Sequence, residues 1–332
     1  MAARVKLARG LALALGLAAC DAKDDAPEAN RAPATKAPVE TKAGAAAPSE
    51  VAPTTDLDAL LEWLDPKATG VGWIDLDPKL SPTTIAAVFA VPPRAADMLT
   101  MPRDVDSELD AVVDSETSPP STWFAGPALV TRSMLSSGPY LVRKLARPRA
   151  EIEATLADAK FDASEDQGFA VHTPRGPFGW RIVFLTDDVV AFIPTREPGS
   201  GLDPLTAGRD MPASDLETEL RRVLAEDKTL AVSLYAAGPM LHFDLDTNVL
   251  GARLELRNYP DGSGRGLDGS VLLEPDGDAA TVVDALQGRA PVGENEQVRT
   301  LAGAVAYSLD GSFVVGRLQV PLSKLAILQV ES

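Results

Sequence analysis

The segment YLVRKLARPRAEIEATLADA, Tyr140–Ala159, predicts a strand that leads through Pro148 into a helix. Ile152 and Leu156 lie four residues apart, so they fall on one face of that helix and predict its buried side. Three apolar runs follow as further strands: GFAVHT (168–173), GWRIVFL (179–185) and VVAFIP (189–194). The connections between these runs are short and rich in turn-forming residues. The order of strand, helix and hairpin-linked strands predicts a helix packed on an antiparallel sheet.

A second segment, GSVLLEPDGDAATVVDALQG (269–288), repeats the order of strand, proline and helix. The runs TLAVSLYAA and ARLELRNY precede it as strands, and GAVAYSLDGSFVVGRLQV follows as a hairpin that turns at Asp310-Gly311. We therefore predict an α+β fold of largely antiparallel sheets with packed helices, built as a diverged duplication of a strand–helix–strands unit. The overlapping GRGLDG (264–269) has the glycine spacing of a dinucleotide-binding loop. Because a strand follows it instead of a helix, we interpret these glycines as part of a hairpin turn.

The folded part is predicted as two α+β halves, residues 56–195 and 214–332, separated by a loop over 196–213. In the first half, Ser81 is expected to cap a helix, and residues 93–115 are expected to form one or two short helices interrupted by Pro102. The second half begins with a helix whose capping box pairs Ser214 with Glu217. The length of the folded part is compatible with one large domain or with two small lobes.

Residues 1–20 read MAARVKLARGLALALGLAAC and combine a basic start with an apolar run over 11–19. This is the layout of a secretory signal peptide, and nine apolar residues are too few to span a bilayer. The final Leu17-Ala18-Ala19-Cys20 resembles the lipobox of bacterial lipoproteins. That resemblance covers residues 1–21 only. It implies that Cys20 receives a diacylglyceryl group and becomes the mature N-terminus once the signal peptide, residues 1–19, is removed.

The segment after Cys20 is rich in alanine and proline, mixed in charge and free of aromatic residues up to Thr55. Such a composition buries too little apolar surface to offset the entropy of ordering the chain. Residues 20–55 are therefore predicted to be a lipidated N-terminus followed by a disordered tether, which as a flexible coil would span roughly 30–35 Å. The features of residues 56–332 resemble those of uncharacterised lipoproteins of high-GC bacteria and match no family of known activity.

The charge of the chain excludes several classes of partner. The sequence has 31 basic and 48 acidic side chains and a net charge of −17; because three basic residues leave with residues 1–19, the mature chain has 28 against 48, a net charge of −20. Such a surface repels nucleic acids and anionic lipid headgroups. Membrane attachment is then expected through acyl chains on Cys20, since two or more chains anchor a protein stably.

One acidic segment has the spacing of a calcium loop. In DLDTNVLGARLE, the residues Asp244, Asp246, Asn248 and Glu255 occupy positions 1, 3, 5 and 12 of an EF-hand-like pattern. Position 6 requires glycine for the sharp turn and is Val249, and both flanks are predicted strands. We keep these four residues as the metal candidates, while predicting an acidic loop between strands and no bound metal or other cofactor.

One dense basic cluster stands out in the acidic sequence. Arg143, Lys144, Arg147 and Arg149 are a candidate patch for an anionic partner or ligand, or else a solvated corner between a strand and a helix. The sequence contains no G-x-S-x-G motif of a serine hydrolase. No catalytic residue is therefore assigned.

Together these features predict a lipid-anchored cell-envelope protein, held at a bacterial membrane through Cys20 and exposed outside the cytoplasm. Its expected role is non-enzymatic binding or scaffolding, toward an envelope protein or a small ligand. Two alternatives stay open: an anchored hydrolase that uses paired carboxylates, and a carrier of a hydrophobic ligand. The sequence leaves the choice between inner and outer membrane open.

Overall fold

The apolar runs pair side by side into one sheet. The computed structural model describes residues 56–77, 79–113, 119–133, 138–197, 201–207, 213–227, 229–242, 247–258, 266–290, 293 and 295–329. The strands in these ranges are β1 Ala68–Ile74, β2 Phe124–Ser133, β3 Tyr140–Leu145, β4 Phe161–Asp166, β5 Phe169–Pro174, β6 Trp180–Phe184, β7 Val189–Pro194, β8 Leu230–His242, β9 Thr247–Asn258, β10 Gly266–Pro275, β11 Ala306–Asp310 and β12 Phe313–Pro321. Each strand runs antiparallel to its neighbours, in the order β11-β12-β10-β9-β8-β1-β2-β3-β7-β6-β5-β4.

Helices pack on this sheet, so the predicted α+β class is confirmed. They are α1 Asp56–Leu61, α2 Pro82–Val88, α3 Pro93–Val112, α4 Arg149–Asp158, α5 Asp203–Thr206, α6 Asp215–Glu226, α7 Ala279–Gly288, α8 Glu296–Gly303 and α9 Leu322–Leu325. Both predicted serine caps are present. The Ser81 hydroxyl accepts a hydrogen bond from the Thr84 N–H (3.2 Å), and the Ser214 hydroxyl accepts one from the Glu217 N–H (3.1 Å). No helix among the described residues is long and apolar enough to cross a membrane.

The two halves share a strand order but not all of their connections, since α2 and α3 lie between β1 and β2 of the first half. In each, three strands form a meander (β1-β2-β3 and β8-β9-β10), helices follow the third strand, and the last strand returns to pair with it: β7 pairs with β3, and β12 pairs with β10. This agrees with the predicted strand–helix–strands unit in each half. The halves join where β1 pairs with β8, so the sheet runs unbroken from residues 56–195 into residues 214–332.

Apolar side chains fill both faces of the first half of the sheet. Along β7, Val190 and Phe192 belong to one buried cluster, and Val189, Ala191 and Ile193 belong to another. Helices α2, α3, α4, α7 and α8 contribute to the first cluster, and α1, α5 and α6 contribute to the second. Since side chains alternate between the faces of a strand, the two clusters cover opposite faces of the sheet.

The second half buries one face and leaves the other polar. Along β9, buried Leu254 and Leu256 alternate with half-exposed Arg253, Glu255 and Arg257. This is the ordinary arrangement of an antiparallel sheet with one solvated face.

The structure differs from the sequence-based expectations in three elements. Helix α3 is continuous through Pro102. The proline removes one backbone hydrogen-bond donor, but the burial of one face of the helix, which includes Leu99 and Val105, stabilises it by more than this loss. The predicted loop over 196–213 contains the short helix α5, whose Leu205 is fully buried. The edge strand β4 was not among the predicted strands, because its residues are mostly polar and exposed.

Candidate anion-binding site

The predicted calcium ligands do not converge. Asp244 and Asp246, like the predicted lipidation site Cys20, lie outside the described residues. Asn248 and Glu255 both lie on β9, seven residues apart, which is about 23 Å along an extended strand. They are therefore too far apart to bind the same ion. The Glu255 carboxylate is instead paired with Arg253 and with Arg257, whose Nη2 donates to Oε2 at 2.7 Å. Among the described residues no group of three histidine, cysteine or acidic side chains is arranged to hold a metal.

The predicted basic patch is largely neutralised. Nη1 of Arg143 donates to both carboxylate oxygens of Asp106, at 2.7 and 2.8 Å. Arg147 pairs with Glu151 at 2.5 Å, and Arg149 pairs with Glu153 at 3.0 Å, each one turn further along α4. Lys144 also interacts with a neighbouring group. Carboxylates thus hold the three arginines of this patch in place, and little charge is left for a ligand.

A different set of three arginines lies around the N-terminal part of α3, close enough that the charges of Arg94 and Arg196 act on Arg132. Arg94 is the second residue of that helix, and its Nη1 lies 3.6 Å from the position that a Cβ atom on Gly238 would occupy. Arg132 is the last but one residue of β2, which packs under α3, and it is in register with Gly70 of β1. Arg196 follows the end of β7 by two residues. We call Arg94, Arg132 and Arg196 the arginine cluster.

Among the described residues, no carboxylate pairs with the arginine cluster. None of the three side chains forms an ion pair or a side-chain hydrogen bond with another described residue. Arg94 and Arg132 are half-buried, whereas Arg196 is exposed. Burial lowers the pKa of Arg132, and the positive charges of Arg94 and Arg196 lower it further. Each of these effects disfavours the charged guanidinium in the absence of a bound anion.

The position of Arg94 is also unfavourable for the helix itself. The first turn of α3 has no acidic residue and no side-chain cap. A positive charge there faces the positive end of the helix dipole, which costs about 0.3–1 kcal/mol. The same dipole and the free N–H groups of the first turn favour an anion beside Arg94.

One carboxylate lies close to the arginine cluster. Asp97 is three residues after Arg94 on α3, so the two side chains are neighbours on the helix surface. Asp97 attracts Arg132 electrostatically but does not form an ion pair with it. Burial raises the pKa of Asp97, Arg132 opposes this, and Asp104 adds a smaller rise. With Asp97 ionised, the site carries three positive charges and one negative charge.

An open surface groove of about 350 Å³ lies between α2 and α3, and of the charged residues named above only Asp97 lines it. Small side chains such as Ala86, Ala90 and Ala96 line it, and Asp97 lies at its wall. The groove therefore leaves the region around Asp97 accessible from solvent.

The arginine cluster has no signature in the sequence. Arg94, Arg132 and Arg196 stand alone in PPRAAD, LVTRSM and PTREPG, and each belongs to a different element. One local signal was available, since a basic residue directly after Pro92-Pro93 at a predicted helix start is electrostatically unfavourable. The groups that lie near Arg94 are then determined by the pairing of strands β1, β2 and β8.

The comparisons with known proteins give a structural likeness only. No protein-family model and no curated protein matches the chain. Among solved structures, the chain is similar to TP0453 in its crystal form I, with a TM-score of 0.45 and 10% identity over 83% of this chain and 97% of that chain. Crystal form III of TP0453 gives a TM-score of 0.43 and 10% identity over 81% and 96% of the two chains. These values carry no statement about activity or ligand.

Proposed function

We propose that this chain is a lipid-anchored cell-envelope protein with a non-enzymatic binding role, and that the arginine cluster is where it binds an anionic group. The anchor and the location follow from the lipobox-like Leu17–Cys20 and the tether after it. The binding role is supported by one observation above all: three arginines lie near one another without an ion-pair partner among the described residues.

The energetics support a ligand at this place. In a chain with 48 acidic side chains, Arg143, Arg147 and Arg149 on and beside α4 each have a carboxylate partner, as Arg143 does with Asp106. Like charges left together oppose folding, so the arginine cluster does not contribute to stability by itself. A bound oxyanion would accept hydrogen bonds from the guanidinium groups and remove the repulsion between them.

The alternatives have no such observation in their favour among the described residues. A hydrolase of the paired-carboxylate type needs two carboxyl groups facing each other across a cleft. Burial raises the pKa of Asp106, but Arg143 occupies both of its oxygens. A carrier of a hydrophobic ligand needs a site that encloses most of that ligand, whereas the groove between α2 and α3 is open to solvent.

The proposal predicts that changing Arg132 removes anion binding without harming the fold. Isothermal titration of the full-length protein with inorganic phosphate, sulfate and pyrophosphate at low salt should detect binding of at least one anion. Arg132→Gln should weaken it at least about tenfold, because a charge-assisted hydrogen bond contributes about 1.5–3 kcal/mol. The melting temperature of Arg132→Gln without anion should equal or exceed that of the wild type, since a repulsion is removed.

Arg103→Gln is the matched control because it removes the same charge from an exposed position on α3. Its anion affinity should stay within about twofold of the wild-type value, since an exposed charge outside the site acts only through a screened field. If no anion binds, or if Arg132→Gln and Arg103→Gln weaken binding equally, the arginine cluster is not the binding site.

A further inference from the structure

We infer that the free edge of β4 is an interaction surface for a basic, extended segment of another protein, which adds to the sheet as a further strand. This inference goes beyond the proposed function, because it uses none of the residues of the arginine cluster. Its basis is the juxtaposition on β4, Phe161–Asp166, of main-chain groups without a hydrogen-bond partner and acidic side chains.

The hairpin of β4 and β5 decides which main-chain groups of β4 point outward. Its turn, Gln167-Gly168, has two residues with positive φ (52° and 82°), and it joins Asp166 to its partner Phe169. The pair that flanks such a turn is hydrogen-bonded, and bonded and non-bonded pairs then alternate along the ladder. The main-chain groups of Ser164 and Asp162 therefore also bond to β5.

Phe161, Ala163 and Glu165 occupy the non-bonded positions in between, so their N–H and C=O groups point away from β5. The partner of Phe161 is Pro174, which has no N–H to donate and therefore fits a non-bonded position. Ala163 and Glu165 are exposed, and their main-chain groups form no hydrogen bond with another described residue. Two donors and two acceptors are thus open at the middle of this edge, where an added strand would bond.

The other edge of the sheet is more closed. There the Gln287 side chain donates to the carbonyl oxygen of Tyr307 in β11, at 2.9 Å. Among the described residues, no side chain does the same for Ala163 or Glu165. The middle of β4 is also sterically open, since Ala163 and Ser164 have small, exposed side chains. Of the two edges, β4 is therefore the one that can receive a strand.

The side chains of β4 determine the kind of strand that can pair with it. The strand has three acidic residues, Asp162, Glu165 and Asp166, and no basic one. Asp162 is paired with Arg175, whereas Glu165 and Asp166 form no ion pair with another described residue. Charges at an edge disfavour pairing in general, but opposite charges across a strand pair stabilise it. Neighbouring basic side chains opposite Glu165 and Asp166 would therefore make the pairing favourable.

A second copy of this chain is disfavoured as the occupant. Pairing β4 with its own copy would place acidic side chains opposite acidic ones, which is destabilising. Pairing it with β11 of another copy would supply no basic residue, since Asp310 is the only charged residue of that strand. The expected partner is a different protein, held by main-chain hydrogen bonds and selected by its charge.

The test uses a blocked, fluorescently labelled peptide, TKVRVKT, with the acidic analogue TEVDVET as its matched control. In fluorescence anisotropy at low salt, the full-length protein should bind the basic peptide at least about tenfold more tightly than the acidic one. Ala163→Pro should weaken binding of the basic peptide at least about fivefold, because it removes one outward donor and leaves the bonds to β5 intact. Glu165→Lys should weaken it by a similar factor, because it places a like charge opposite the peptide.

Two controls separate edge pairing from general attraction and from misfolding. Asp284→Lys makes the same charge change at an exposed position of α7 and should keep the affinity within about twofold of the wild-type value. Ala163→Pro should melt near the wild-type temperature, whereas Ser164→Pro should melt lower because it removes a bond to β5. Hydrogen exchange at the amides of Ala163 and Glu165 should be fast in the free protein and slow with the basic peptide bound.

The edge of β4 does not bind basic segments if the basic peptide fails to bind or if the acidic analogue binds equally well. The same conclusion follows if Glu165→Lys and Asp284→Lys weaken binding equally, or if bound peptide leaves the exchange at Ala163 and Glu165 unchanged. If sedimentation shows a wild-type dimer that Ala163→Pro abolishes, a second copy covers the edge and the assignment to another protein is wrong. None of these results depends on the arginine cluster, so anion binding is tested separately.

Discussion

Arg132 and Arg143 are both half-buried arginines on neighbouring strands, yet their surroundings are opposite. Arg143 donates to Asp106 and lies over the ring of Phe124, 4.6 Å from its centroid. Arg132 has two positive neighbours and the single negative neighbour Asp97, and it forms no ion pair with another described residue. An arginine with a carboxylate and an aromatic ring is explained by packing, whereas the surroundings of Arg132 leave its charge uncompensated among the described residues. This contrast is the reason for proposing Arg132 as a binding residue and Arg143 as a structural one.

His172 is a second residue whose surroundings predict a measurable effect. It is 5% exposed, its Nε2 lies 3.5 Å from a carboxylate oxygen of Glu153, and its Nδ1 has no hydrogen-bond partner among the described residues. Its ring meets Phe184 edge to face at 5.5 Å. Burial lowers the pKa of His172 below its ordinary 6.5; Glu153 opposes this shift, and the charge of Arg149 adds to it. The folded protein therefore favours the neutral imidazole.

We predict that His172 makes the protein less stable in mild acid. Because its pKa is lower in the folded state, the contribution of His172 is fully present above pH 6.5 and is lost as the pH falls toward the folded pKa. Urea unfolding at pH 7.5 and 5.5 should show a loss of up to about 1.4 kcal/mol per pH unit from this residue. His172→Phe, which cannot take up a proton, should show a smaller loss. Equal losses in the two proteins would contradict the prediction.

At the scale of elements, α2 packs on the sheet through a ring-on-glycine contact. Phe89, the residue that ends α2, is fully buried, and its ring lies over Gly269 of β10. A Cβ atom at Gly269 would lie 2.7 Å from Cε1 of that ring. The interpretation of GRGLDG as a turn is therefore wrong from Gly266 on, because Gly266–Gly269 belong to β10, whereas the predicted strand that begins at Gly269 is confirmed. This glycine lies inside a strand, and it is required because a side chain there would displace Phe89.

Gly269→Ala should lower the free energy of unfolding by about 1–3 kcal/mol, measured in urea, because the added methyl group overpacks a filled site. Gly176→Ala is the control, since a Cβ atom there meets nothing within 4 Å. It should change stability by less than about 0.5 kcal/mol. Phe89→Leu in the Gly269→Ala background should recover part of the loss. A Gly269→Ala protein as stable as the wild type would show that the ring does not lie over the glycine.

The two edges of the sheet illustrate how elements avoid unwanted pairing. Strand β4 has exposed Asp162 and Glu165 along its length. At the other edge, the Gln287 side chain of α7 donates to the carbonyl oxygen of Tyr307 in β11, at 2.9 Å. Charged side chains and a covered carbonyl both disfavour the addition of a foreign strand.

At the scale of the whole molecule, the folded part and the predicted anchor are separate in sequence. The described sheet and both apolar clusters are built from residues after Asp56. The proposed anchor is Cys20, joined to this part by the predicted tether of residues 20–55. If this division is right, attachment and folding can be changed independently.

Cys20→Ser should therefore move the protein out of the membrane fraction and leave its melting temperature unchanged. The physical reason is that a serine hydroxyl cannot form the thioether that bears the acyl chains, and the net charge of −17 opposes electrostatic attachment. Membrane fractionation followed by thermal unfolding measures both properties. Thr41→Ser, within the predicted tether, is the control and should stay at the membrane. If Cys20→Ser also stays there, the anchor proposal is refuted.

Several features could be predicted from the sequence because they depend on near neighbours. The strand before Pro148 and the helix after it, the caps at Ser81 and Ser214 and the turn at Asp310-Gly311 follow from local propensity and hydrogen bonding within a few residues. The α+β class follows from their order. Helix α3 differs because its continuity through Pro102 depends on burial against the sheet, which local sequence does not contain.

The sequence by itself predicted most of the strands and helices and their order, except for the continuity of α3, helix α5 and strand β4. It also predicts a signal, a tether and an anchor in residues 1–55, which stay predictions. Only the tertiary structure decided which charged groups lie together. The basic cluster at 143–149 is dense in sequence, but Asp106, 37 residues away, and acidic residues on α4 neutralise it. Arg94, Arg132 and Arg196 are scattered in sequence, yet strand pairing and the packing of α3 bring them together. Electrostatic energy depends on distance through space, so the candidate site became visible only in the fold.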